Sequence, residues 1–569
     1  MKASRKVTLP AAIVFLVMAA TVFVAIDQTL PPEALSAGAA ATEFSAERAI
    51  EHIEAIAQEP RLVGEPGFEA ARDYVIGELT RLGLPPEIQR TRITIPEDLR
   101  LTLGPYVTPS QQVENVVARI EGAESQEAIL LAAHLDSVGG PGATDDASGV
   151  AVLLETARAL LAGPPLRNTV LLLFTAPEET GTHGAVAFLL EHPWRNDVRL
   201  VINIDAGGLA GPSELTNTSP DNGWLIRELG RANPYAFGSS SSGAGDSDFN
   251  SFKFYGFSGY AFDYSRDRRI HTPFDNLDNL NPSSIQHQGY HALYLTRHFG
   301  NLASLQDPRE PSPVYFNVLR LGLVHYPATW VIPITLLGAL VLAGVLALGF
   351  RRRCLTYRGI GWGALVLTVS LVTAPLAARL LWAALSGLVP KYQVTYFGHA
   401  VDEPLLLTIF ASMALALTTT WIVLIQRVNK VGLADLTLGA LALLFLVMVG
   451  LSIASPGESY GITWPFLASL LAAGYWIASM KQDQDSFSAA QLFGLLVAAV
   501  VAIVVLLPSF YMGFTGSATD DLFMPMTTLV TTLGLLVPQL HVVIRPHPWW
   551  LPVAAGLSAV VLLGVALFG

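Results

Sequence analysis

The sequence predicts two structural classes in one chain. Residues 45–305 read as an α/β sandwich around a mixed, largely parallel sheet, and residues 321–569 as an all-α multi-span transmembrane block. Three observations predict this. Between residues 40 and 305, short apolar runs alternate with segments of helical period, the pattern of an α/β domain. Beyond residue 320 the chain is mostly apolar runs of about 20 residues, enough to cross a bilayer core. Each conspicuous polar cluster of the first region directly follows a short apolar run, and open α/β sheets bind ligands where their strands end. Of the 569 residues only 14% are charged, and mean hydropathy is +0.45.

Within the first region, residues 45–58 (SAERAIEHIEAIAQ) and 67–83 (GFEAARDYVIGELTRLG) place apolar side chains at helical spacing. Runs 113–120 and 128–133 predict strands, 148–162 a helix, 169–174 a strand, 184–190 a helix and 200–204 a strand. A further helix is expected from about Pro282. Residues 27–44, with Pro31-Pro32 and many alanines, and 306–320 read as linkers. No internal repeat is evident.

Eight membrane-spanning runs are drawn at 328–350, 361–385, 404–426, 436–456, 461–480, 488–508, 523–543 and 549–569, with a ninth at the N-terminus within residues 1–26. The N-terminal run reads as an uncleaved anchor, because its apolar core exceeds a signal-peptide h-region; cleavage near Ser36–Ala41 is the alternative. Basic residues set the orientation. With the N-terminus inside, cytoplasmic segments hold Lys2, Arg5, Lys6, Arg351, Arg352, Arg353, Arg358, Arg427, Lys430, Lys481 and Arg545. The opposite loops of the C-terminal block hold Lys391 with Asp402, Glu403, Glu458, Asp520 and Asp521. Residues 27–320 are therefore expected outside the cytoplasm, in a periplasm or extracellular space, or in an organelle lumen.

Net charge is −12; residues 1–26 contribute +3 and 306–569 contribute +2, leaving about −17 for the exported part. Such a surface excludes nucleic acid as a partner and attracts cationic peptide termini. The single cysteine, Cys354, excludes an intrachain disulfide. Arg379 and Asp435 are the ionisable residues within spans, each near an interface, and no chain of acids or histidines suggests a proton relay. The block reads as an anchor in the lipid bilayer or a partner surface.

Four polar clusters remain: "HLDSVGGPGATDDASGVA" from His134, "APEETGTHGA" with Glu178 and Glu179, "NIDAGG" with Asp205, and "RRIHTPFDNLDNL" with His271. Singly each is weak, since strand ends and helix starts commonly carry such residues. Jointly they supply His134, Asp145, Glu179, Asp205 and His271, a nitrogen and oxygen set suited to zinc. Five ligands with one carboxylate able to bridge suit two ions.

These motifs resemble the co-catalytic di-zinc aminopeptidases, the clan of bacterial leucyl aminopeptidases and aminopeptidase Y. The multi-span tail, with "SDFNSF" and "SSIQHQGYHALYL", resembles the subgroup of the endoplasmic-reticulum metallopeptidase and the vacuolar membrane protease. The resemblance implies two Zn2+, with Asp145 bridging, His134 and Asp205 completing one ion, and Glu179 and His271 the other. It implies Glu178 as general base and Asp136 as the acceptor of the second ring N–H of His134. Gly139, Gly140 and Gly142 are expected to let the loop turn tightly. Several relatives have a tyrosine before the final histidine; Ile270 stands there, and Tyr264 is the candidate substitute donor to an oxyanion. Asp248 is a candidate for holding a substrate amine or for capping a helix, and Thr272 and Asp275 are expected to fix their loop. The implied activity is hydrolysis of N-terminal residues from peptides; carboxypeptidase, glutaminyl cyclase or a non-catalytic membrane scaffold are the alternatives.

Overall fold

The computed structural model describes residues 2–104, 107–241, 245–319, 322–393, 403–481, 487–516 and 521–568. Asp402 and Asp520, expected in outer loops, lie outside the described residues, as does the junction at 320–321. The chain forms two compact units: Leu30–Tyr326, and Met1–Thr29 together with Pro327–Gly569.

After the N-terminal helix α1 (Lys2–Asp27), the first of these units runs α2 (Ala46–Ile56), α3 (Pro66–Arg81), β1 (Glu87–Thr94), α4 (Glu97–Leu103), β2 (Ser110–Ile120) and β3 (Ser125–His134). It continues with α5 (Ala147–Leu161), β4 (Asn168–Thr175), α6 (His183–Glu191), β5 (Val198–Ile204), β6 (Glu214–Thr218), α7 (Gly223–Ala232), α8 (Asp248–Phe254), β7 (Ser258–Asp263) and α9 (Pro282–Gly300). Seven strands form one sheet in the order β1-β2-β4-β3-β5-β7-β6. The central β4, β3, β5 and β7 are mutually parallel, whereas β1, β2 and β6 run antiparallel at the two edges. A short separate pair, β8 (Pro313–Asn317) and β9 (Leu323–Pro327), follows.

The parallel strands read as continuous apolar runs because both sheet faces are covered. Alternate residues of β3 and β4 serve opposite layers. Ile129, Leu131, Ala133, Leu172 and Phe174 join a core with residues of α2, α5 and α9. Ala128, Leu130, Ala132, Leu171 and Leu173 join another with Ala185 and Phe188 of α6 and Phe249 and Phe252 of α8. The sequence pattern misses β1, β6, β7, α4, α7 and α8. β1 is largely exposed, so it carries little apolar signal, and the other elements are no longer than ten residues.

In the other unit, α1 is followed by α10 (Val331–Arg351), α11 (Tyr357–Leu388), α12 (Pro390–Gln393), α13 (Glu403–Asn429), α14 (Leu433–Ala454) and α15 (Tyr460–Ser479). Then come α16 (Ala489–Gly516), α17 (Phe523–Leu535), α18 (Val537–Ile544) and α19 (Trp550–Phe568). Among the described residues, eight helices are long and apolar enough to cross a membrane. The span expected at 523–543 is instead a pair, α17 and α18, bent by 70°. Pro538 in the first turn of α18 lacks the N–H that a continuous helix would use, and Leu536 leaves the helical conformation. Asp435, expected to snorkel at an interface, is instead buried and accepts from the Thr356 backbone N–H at 2.8 Å, capping the start of α11. The two helices approach closely there: a side chain at Gly363 would meet the Asp435 carbonyl at 2.6 Å, and one at Gly439 would meet the Ile360 carbonyl.

Leu172 lies fully buried between Ala118 of β2 and Leu131 of β3. Leu172→Ala is expected to destabilise the sheet unit by about 2–5 kcal/mol, read as a lower denaturation midpoint.

Candidate metal centre

The carboxyl ends of the parallel strands assemble the polar clusters. His134 closes β3, Asp205 follows β5, and Glu178 and Glu179 follow β4. Asp145 precedes α5, and His271 lies in the loop after β7 with a positive φ of 55°. His134 Nε2 sits 3.0 Å from Asp145 Oδ1 and 3.6 Å from Asp205 Oδ1. His271 Nε2 sits 3.0 Å from Asp145 Oδ2 and 2.9 Å from Glu179 Oε2. Two trios result, His134–Asp145–Asp205 and Asp145–Glu179–His271, each with ligand atoms within 4.8 Å of one another. Asp145 is common to both, offering one oxygen to each histidine.

Backbone contacts hold this arrangement. Asp275 accepts from the N–H groups of Thr144 (2.6 Å) and Asp145 (3.0 Å). Asp146 caps α5 through the Gly149 N–H and also accepts from His134 N–H, tying the helix start to the strand end. The Asp136 carboxylate accepts from the N–H groups of Glu178 and Glu179 at 2.9–3.2 Å. His134 Nδ1 is 3.1 Å from the Asp136 carbonyl and 3.6 Å from its carboxylate. Both the carbonyl and the carboxylate of Asp136 thus lie near this ring nitrogen, the carbonyl nearer. Thr272 Oγ1 donates to the Arg269 carbonyl and accepts from the Phe274 N–H. Gly139 and Gly142 have φ of +76° and +62°; any side chain at Gly139 would strike the His271 carbonyl, and one at Gly142 the Asp145 carbonyl.

The electrostatics follow from crowding acids away from water. Burial, with Asp145 nearby, pushes Glu179 up to about 7. Burial raises Glu178 well above the usual carboxylate range, and the charges of Asp248, Asp205 and Glu179 add to it. Burial would raise Asp145 too, but hydrogen bonds from His134 and His271 hold it below its ordinary value. Burial works against a charged His271, yet Asp145 and Glu179 lift it to about 10. Likewise His134, despite burial, is raised well above its ordinary value by Asp136, Asp145 and Asp205. The cluster thus demands positive charge. Its two imidazoles and three carboxylates form a donor set that fits zinc, and the Glu179 Oε1 atom is buried without a hydrogen-bond partner.

Tyr264 and Asp248, the candidate substrate contacts, are both buried. Tyr264 is 1% exposed and its hydroxyl lies 2.8 Å from Ser148 Oγ, within the core. Asp248 is 2% exposed; one oxygen accepts from Thr175 Oγ1 and the other is buried without a partner, while burial pushes the acid to about 7. Neither presents a polar group to solvent. Asp146 and Arg61 were missed by the sequence reading. The helix-capping position after Asp145 could have signalled Asp146, whereas nothing local marks Arg61, a buried arginine that donates to the carbonyls of Leu135, Pro141 and Gly142.

Residues 115–296 match the family model for Peptidase family M28. This part of the chain is similar to the M28 peptidases. Endoplasmic reticulum metallopeptidase 1 of Mus musculus is 31% identical over 314 residues, covering 50% of this chain and 34% of that protein. The vacuolar membrane protease of Eremothecium gossypii is 32% identical over 227 residues, covering 38% of this chain and 22% of that protein. The chain thus spans about a third or less of the length of these relatives. Among solved structures, the chain is similar to a zinc aminopeptidase from Bacillus subtilis, with 16% identity, a TM-score of 0.39, and coverage of 45% of this chain and 95% of that one.

Zinc must displace protons from both imidazoles and from Glu179, whose charged form predominates only above about 7. Zinc affinity is therefore expected to rise with pH, most steeply below about pH 7, where Glu179 also holds a proton, and to go on rising towards about pH 10, where His271 loses its own, with protons released on binding. Calorimetric titration in buffers of different ionisation enthalpy measures both effects.

Proposed function

We propose that the chain is a membrane-anchored, zinc-dependent exopeptidase, an aminopeptidase that removes N-terminal residues from peptides on the non-cytoplasmic side. The observation that carries this reading is the Asp145 carboxylate, with one oxygen 3.0 Å from His134 and the other 3.0 Å from His271. That geometry suits a carboxylate shared by two ions. His134, Asp145 and Asp205 would hold one zinc, and Asp145, Glu179 and His271 the other. Bound zinc supplies Lewis acidity, which acidifies water and polarises a scissile carbonyl.

The chain's own part in the reaction falls to Glu178. Its raised affinity for protons, caused by burial among acids, suits a base that takes a proton from the attacking water and returns it to the leaving amine. Asp136 sets the backbone of Glu178 and Glu179 through both N–H groups. It thereby couples the base to a metal ligand, so that both carboxylates keep their mutual placement. The acidic balance of residues 27–305 favours approach of cationic peptide N-termini.

Support for the orientation comes from where cations meet helix ends. Arg351, Arg352, Arg353 and Arg358 lie at the α10–α11 connection, Arg427 and Lys430 at α13–α14, Lys481 after α15 and Arg545 after α18. These ends alternate with the acidic ones when α17 and α18 together count as one crossing.

The purified full chain is expected to bind two zinc ions and to cleave aminoacyl-p-nitroanilides. Glu178→Gln should lower kcat by about 10²–10⁴-fold while keeping both ions. Zinc binding without turnover on any peptide would defeat the enzymatic reading, and ammonia release from N-terminal glutamine alone would replace it with cyclisation. For topology, Glu124→Cys in a Cys354→Ser background should react with an impermeant thiol reagent applied from the non-cytoplasmic side. Labelling only from the cytoplasm would reverse the assignment.

A further inference from the structure

Arg61 lies in the connection between α2 and α3, far along the chain from every candidate ligand. It is 0% exposed. Its guanidinium makes no ion pair: among the described residues no carboxylate stands within pairing distance. Instead it donates to three backbone carbonyls. Nε reaches Leu135 at 2.7 Å, one terminal nitrogen reaches Pro141, and the other reaches Gly142 at 3.0 Å. The Arg61 backbone adds two more contacts to the same loop, donating to Ser137 Oγ (3.0 Å) and accepting from the Ser137 N–H (3.3 Å).

These acceptors bracket one segment. Leu135 follows the ligand His134, and Gly142 stands three residues before the shared ligand Asp145. A rigid, planar fork gripping both ends fixes the span between them, which an ammonium on a flexible stem cannot reproduce. The placement also answers a cost. A buried guanidinium satisfied only by carbonyls is unfavourable unless negative charge lies near, and Asp275, Asp136, Asp146 and Asp145 supply that field.

We infer that Arg61 is a positioning residue that staples the two ends of the 135–142 loop, and so sets the separation of His134 and Asp145 before any metal arrives. This inference rests on the zinc-peptidase reading. It adds that the site is shaped by the chain, not by the ion, and it gives the buried Arg61 guanidinium a task.

The test uses the full chain and zinc itself, with chelator-competition affinity and amide hydrogen exchange as readouts. Arg61→Lys keeps the charge and loses the fork. It is expected to weaken zinc binding at least tenfold and to speed exchange of residues 135–145 in the zinc-free protein, with protection of β3 and β4 unchanged. Ser137→Ala, which removes the hydroxyl that accepts from the Arg61 N–H and donates to the Gly140 carbonyl but leaves the guanidinium fork, should weaken zinc by a smaller factor. Wild-type zinc affinity and wild-type loop exchange in Arg61→Lys would overturn the inference. Should Arg61→Lys fail to fold, the wild-type chain decides. Protection of 135–145 comparable to β3 without zinc supports a loop set in advance, and protection gained only on adding zinc refutes it. Absence of zinc binding by the wild-type chain would instead refute the peptidase reading and leave the loop-exchange result to stand alone.

Discussion

Repulsion among the acids at the sheet's carboxyl edge is the constraint from which the rest of the sheet-bearing unit follows. Asp136, Asp145, Asp146, Glu178, Glu179, Asp205 and Asp248 are brought together away from water, and two like charges 4 Å apart repel by about 4 kcal/mol even at an effective dielectric near 20. Such a cluster persists only with cations or protons among its members. His134 and His271 meet part of the demand, each holding its proton far more firmly than a free imidazole. Asp145 lies between them and touches both, so it is where the field of the whole group converges.

The scaffold answers that tension with backbone donors and with one buried cation. Asp275 fastens the N–H groups leading into Asp145, Asp146 fastens β3 to α5, and Asp136 fastens the turn after β4. Each second acid thus immobilises a segment bearing a ligand. The left-handed turn at Gly139 lets the first loop lie against the His271 backbone of the last, and that at Gly142 lets the loop close on its own Asp145 carbonyl. Four stretches separated in sequence become one rigid frame, the kind of support that a site needing its groups held to within fractions of an ångström requires.

What could be read from the sequence divides along the range of the interactions. His134, Glu179 and Asp205 stood out because each sits at or just past the end of a buried strand whose apolar run is visible in the chain itself, and Asp145 because it stands at the start of a recognisable helix. His271 was legible only through its motif, since its loop has no flanking strand of recognisable pattern. The membrane helices were evident from composition, but the break at Leu536 was not: hydropathy counts apolar atoms and is blind to the N–H that Pro538 lacks. Tyr264 and Asp248 were read as candidate contacts from their chemistry, whereas their burial could not be read from the sequence. Arg61 was invisible because its partners are carbonyls of a distant loop, which any residues could provide.

The capping of α11 by a carboxylate from α14 has a consequence for the membrane unit. Because Asp435 reaches Thr356 only across a contact lined by Gly359, Gly363 and Gly439, steric clearance and polar saturation are one variable in that helix pair. A methyl group at any of these glycines would pry the backbones apart and strand a carboxylate in an apolar setting. Glycine content there acts as a tolerance limit: the pair can drift in sequence on its lipid-facing sides while this seam admits almost no change in volume.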